Sequence, residues 1–114
     1  MEKFTIEYIR EQQSKMKDYT IVLLKKTPKI KESGADTIIF EHARKNFALR
    51  EEGLASIICP VFDHPEFGGL YIFNIDVDQT KKIMEDDPAV KAGVFQYEIY
   101  SGKSFPGDSL NFGA

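Results

Sequence analysis

Helical and strand periods alternate along the chain. In "MEKFTIEYIREQQSKMKDY", Phe4, Tyr8 and Glu11 share one side, with Ile6, Ile9 and Met16 nearby, and the spacing predicts an amphipathic helix from about residue 3 to 17. "YTIVLLKK" (19–26) is rich in β-branched and apolar residues and stops at Thr27–Pro28, which predicts a strand buried on both faces or nearly so. In "ESGADTIIFEHARKNFALREEG", Ile39, Phe40, Ala43 and Phe47 recur at helical spacing; Ser33 or Asp36 can cap the start and Gly53 closes the end, giving a helix over about 34–52. "LASIICPVF" and "GLYIFNID" flank the turn cluster "DHPEFGG" and read as an antiparallel hairpin with a longish loop. "VDQTKKIMEDD" forms a short helix with Val77, Ile83 and Met84 inward, and "GVFQYEIYSG" sets Val94, Gln96 and Glu98 against Phe95, Tyr97 and Ile99, a strand of period two. The tail "KSFPGDSLNFGA" is irregular and able to drape over a neighbour.

This order is an extra helix followed by β-α-β-β-α-β, the ferredoxin-like split unit: an α+β fold with a four-stranded antiparallel sheet and two helices on one face. The expected organisation is one domain over 1–114, with a helical extension at 1–18, a core at 19–100 and an irregular tail at 101–114. Two short helices cover only one face of such a sheet, so the other must be covered by something else. A second copy of the same sheet is the simplest cover and predicts a homodimer; the N-terminal helix is the competing one.

Composition narrows the classes. The 114 residues suffice for a single core, and 42% apolar with 29% charged residues is ordinary for a globular chain. A net charge of −3 supplies no long-range attraction to nucleic acid or an anionic membrane. No window approaches the ~20 apolar residues needed to cross a bilayer, and the charged N-terminus holds no apolar export segment. The single cysteine, Cys59, has no intrachain partner for a disulfide. The expected compartment is the cytoplasm.

The acids of "MEDDPAVKAGVF" (84–95) raise the main chemical question, because a helix C-terminus disfavours negative charge. Either they cap a following turn or one of them has a partner elsewhere. His42 falls beside the apolar stripe of its helix, where it would be partly buried. Since both helices of a split unit pack side by side on one sheet face, Asp87 can approach it. A carboxylate beside an imidazole holds one tautomer and raises the basicity of the other nitrogen, as a general acid or base near neutral pH requires. The competing account has Asp87 starting a turn ahead of Pro88 and His42 satisfied by a backbone carbonyl.

"EHARKNFALREEGLASIICPV" followed by "GGLYIFNIDVDQTKKIMEDDPAVKAGVFQYEIY" resembles the YCII-related family over about residues 19–100, with "DPAVKAG" the specific part. The resemblance implies a dimeric α+β barrel and a histidine–aspartate active site, whose roles fall on His42 and Asp87. Two features depart from the pattern. Cys59 stands before Pro60 where the family usually has glycine, so its side chain either narrows the pocket or adds a thiol to it; buried without a cation, that thiol would stay protonated. The N-terminal helix lies outside the match.

Cys59, Pro60 and Tyr97 are the expected pocket-lining residues, with Tyr100 a further candidate hydroxyl. His64 is expected to be solvated. With Asp63 and Glu66 it is short of convergent ligands, so no metal site is expected. Ser101, Ser104 and Asp108 form no nucleophile elbow, and "FGGLYIF" is not a phosphate loop. The expected function is cofactor-independent general acid/base chemistry on a small organic molecule, a cyclic, aromatic or lactone substrate by analogy with other dimeric α+β barrels. The alternative is a non-catalytic ligand-binding or interaction module in which His42–Asp87 is a structural hydrogen bond. A catalytic pair should border an open cavity, a structural one should be covered on all sides.

Overall fold

The computed structural model of the chain describes residues 2–112. After a 3₁₀ turn, α1 (Ile6–Gln13) leads into β1 (Lys17–Lys26), α2 (Ala35–Glu51), β2 (Ala55–Pro60), β3 (Phe67–Phe73), α3 (Val77–Glu85), the single turn α4 (Pro88–Lys91) and β4 (Phe95–Ser104). The strands form one four-stranded antiparallel sheet in the order β2-β3-β1-β4. This is the expected α+β split unit, with β2 and β3 paired as a hairpin.

Period two decides what each strand buries. Thr20, Val22 and Leu24 of β1, Tyr71 and Phe73 of β3 and Phe95 of β4 point to the helix-covered face and are buried, with Leu49, Met84 and Ala89 packed onto them from the helices. The intervening residues Ile21 and Leu23 pair across the ladder with Ile72 and Leu70, and lie on the opposite face only half-buried. β1 therefore alternates within the chain instead of being buried on both sides. No residue of α1 is buried, so the N-terminal helix does not cover that second face.

Local chemistry moves several boundaries. The Thr5 side chain accepts the Tyr8 N–H and caps α1, which is shorter than the amphipathic pattern suggests. β1 begins at Lys17 and β4 continues to Ser104 because the two pair over their whole length, Lys17 opposite Ser104. The extension thus ends before residue 18, and the irregular tail starts after Ser104. The N-cap of α2 is Gly34 (φ +89°), with no side-chain cap, so neither Ser33 nor Asp36 caps it.

The larger difference is the rotation of α2. Its sheet-facing residues are Ala35, His42, Asn46 and Leu49, while Phe40 and Phe47 are 69% and 65% exposed. Ile38 and Ile39 still pack half-buried against the core, but the two phenylalanines of the apolar stripe do not. Two polar side chains take the inner face instead because each finds partners there.

Gly69 lies opposite Pro60, and a Cβ there would stand 2.8 Å from the Cys59 carbonyl oxygen at a φ of +153°. Gly69→Ala is expected to destabilise the fold by about 2 kcal/mol, read as a lower urea midpoint. Gly102→Ala should cost less, because its new Cβ meets only the end of the Ile21 side chain, which can turn away.

Candidate active site

Asp87 sits between α3 and α4, where Pro88 begins the new helical turn. As the N-cap of α4, its Oδ2 accepts the N–H groups of Ala89 (3.0 Å) and Val90 (3.3 Å). Both carboxylate oxygens also lie 2.9 Å from Nδ1 of His42 on α2. Asp87 thus caps a turn and partners His42 at once. Asp86 faces solvent and pairs with Lys91 at 2.7 Å, which holds its carboxyl below the usual range.

An ionised carboxylate only accepts, so Nδ1 carries the imidazole proton and Nε2 is left with a lone pair. Asn46, one turn along α2, donates its amide to Nε2 at 3.2 Å. Tyr71 of β3 donates its hydroxyl to Asn46 Oδ1 at 2.6 Å and lies 3.3 Å from Nε2. Phe95 and Tyr71 flank the imidazole, with ring centroids 5.1 and 6.4 Å away. Lys45 closes the helix end by donating to the Ile83 carbonyl at 2.6 Å. Burial lowers its pKa, and the nearby Asp87 and Asp86 partly offset this.

His42 is 6% exposed and Asp87 2%. Among the described residues no buried side-chain nitrogen or oxygen lacks a partner.

A cavity of about 700 Å³ opens between α2 and β2, beneath the C-terminal tail. Asn46 forms part of its wall and also contacts Nε2 of His42. Of the expected lining residues, Pro60 borders the cavity; Cys59 and Tyr97 are not in its wall. Cys59 is exposed, because it pairs with Leu70 and follows the register of the uncovered sheet face. Tyr97 pairs with Leu24 on the helix-covered side, where burial and the Glu85 carboxylate push its phenol up. Tyr100 is exposed and donates to Glu98. His64 is half-buried and built into its loop, its Nδ1 accepting the N–H groups of Glu66 and Phe67. Among the described residues no three His, Cys, Asp or Glu side chains are grouped to hold a metal.

Sequence reasoning passed over Asn46 and Tyr71. The four-residue step from His42 to Asn46 was a usable signal, since it stacks the two side chains on one helix face. Nothing local identified Tyr71.

No family model and no curated protein matches the chain. Among solved structures it is similar to 5-chloro-2-hydroxyhydroquinone dehydrochlorinase (TftG) from Burkholderia phenoliruptrix AC1100, in complex with 2,5-dihydroxybenzoquinone. The identity is 17%, the TM-score 0.53, and the match covers 72% of this chain and 90% of that one. At that identity the likeness shows a shared fold alone. No helix of the described residues is long and apolar enough to cross a membrane.

Asp87→Ala removes both the cap of α4 and the acceptor of a buried N–H. It is expected to cost about 3 kcal/mol in thermal or urea unfolding, while Asp86→Asn leaves the melting temperature unchanged. Burial, and secondarily the Asp87 charge, hold the Tyr71 phenol well above its ordinary value of 10.0. The native state therefore keeps this proton more tightly than the unfolded chain. The associated stability is intact below pH 10.0 and is lost as pH rises above it. Tyr71→Phe should make that alkaline decline shallower, as followed by urea unfolding at a series of pH values.

Proposed function

We propose that this chain is a small cofactor-independent enzyme of the YCII-related kind, with His42 as general acid/base and Asp87 as the group that orients it. The observation that carries this is the anchored carboxylate. Asp87 is held by two backbone N–H groups and offers both oxygens to Nδ1 at 2.9 Å, which turns the lone pair of Nε2 toward Asn46 and the cavity edge. In this reading a bound substrate displaces or turns the Asn46 amide. Nε2 then takes a proton from an acidic O–H or C–H, the imidazolium is stabilised by Asp87, and the proton returns to another substrate atom or leaves with a departing group. The solved neighbour carries a name that describes removal of hydrogen chloride from a hydroxylated aromatic ring. Chemistry of that class needs a proton carrier, and a small hydroxylated aromatic or lactone is the substrate class we assign.

We place the enzyme in the cytoplasm as a homodimer. Ile21, Leu23, Ile57, Leu70 and Ile72 give the open sheet face an apolar surface, which a second sheet would cover at the usual ~10 Å spacing. A second reading has a specific observation in its favour. At 6% exposure with every polar atom satisfied, His42–Asp87 also suits a structural tie between α2 and the α3–α4 turn.

Screening hydroxylated aromatics and lactones for turnover, then repeating with His42→Gln, separates the two. The enzymatic reading predicts a drop in kcat/KM of about 10²–10⁴-fold. Turnover that survives the substitution, accompanied by a stability loss of about 1–3 kcal/mol, assigns the pair to structure alone. For the assembly, Leu23→Lys at the centre of the open face should halve the mass in sedimentation equilibrium. A monomeric wild-type chain refutes the dimer.

A further inference from the structure

The cavity between α2 and β2 has a definite chemical character. One stripe of α2, Ala43, Asn46, Phe47 and Arg50, forms its helical wall at spacings of three and four residues. Ile58 faces the stripe from β2, and Asp108 and Leu110 close the outer side from the tail. The volume of about 700 Å³ is that of a small-molecule site. Phe47, 65% exposed, offers an aromatic face for a flat ring. Arg50 has no carboxylate within 4.0 Å among the described residues. Its planar fork suits a carboxylate held by two parallel hydrogen bonds.

We infer that this cavity binds a small planar monoanion, its ring between Phe47 and Ile58 and its acidic group on Arg50. The charge limit comes from Asp108, the one carboxylate in the wall among the described residues, which repels a second negative charge. A dicarboxylate or a phosphate dianion therefore fits less well than an aromatic monocarboxylate. Asn46, one turn from Arg50 along the same wall, also contacts Nε2 of His42 at 3.2 Å. Identifying this ligand class as the substrate rests on the proposed role of His42; the binding site itself does not.

The test is equilibrium binding of benzoate to the full chain by calorimetry, with its neutral isostere benzamide and the dianion terephthalate alongside. Benzoate is expected to bind more tightly than either. Arg50→Gln should weaken benzoate by about tenfold or more while leaving benzamide unchanged, and Asp108→Asn should admit terephthalate. Amide resonances of Ser56 and Ile58 should shift on titration with benzoate. Absence of saturable benzoate binding at millimolar concentration, an unchanged affinity in Arg50→Gln, or shifts confined to the open sheet face would each overturn the inference. Because benzoate is an inert probe, an inactive His42 leaves the site standing, and an absent site leaves His42 to its own turnover test.

Discussion

His42 is tolerated inside this small domain because every polar atom around it has a partner. An imidazole facing the core without hydrogen bonds would cost several kcal/mol, a large share of the net stability of a chain this size. Asp87 meets that requirement on one nitrogen and Asn46 on the other, with Tyr71 completing the Asn46 oxygen. The carboxylate brings its own burden of burial, offset by the Ala89 and Val90 N–H groups. The four side chains are therefore buried as a unit.

That unit dictates the geometry around it. It turns α2 so that His42 and Asn46 face the sheet, which sends Phe40 and Phe47 outward. It fixes the α3–α4 turn against α2, with the Lys45–Ile83 bond beside it. The outward rotation also carries Arg50 and Phe47 to the cavity wall. Packing, helix orientation and the chemistry available at the surface thus follow from a single polar cluster.

Both accounts of the pair draw on the same geometry. A fixed tautomer and an anchored carboxylate are what a proton carrier needs, and they also make a well-satisfied core contact. What separates them is access to Nε2, which Asn46 contacts at 3.2 Å. The cavity beyond that amide gives the enzymatic account a place for a substrate without changing the hydrogen bonds of the resting state.

The strands, the hairpin and the split-unit order were legible in the sequence because period two, turn residues and Pro or Gly stops act locally. "DPAVKAG" likewise marked Asp87 through the requirements of an N-cap before Pro88. The contact itself spans 45 residues and was suggested by helix adjacency and by resemblance, since no local rule encodes it. Phe40 and Phe47 of the α2 apolar stripe nevertheless lie outside, because a polar face goes inside when its partners come from other elements. Tyr71, opposite Val22 in the ladder, and the tail residues beside Arg50 entered only with the folded chain. Local preference settles which residues form a strand or a turn, whereas polar satisfaction and cavity shape depend on side chains that meet only when the elements pack.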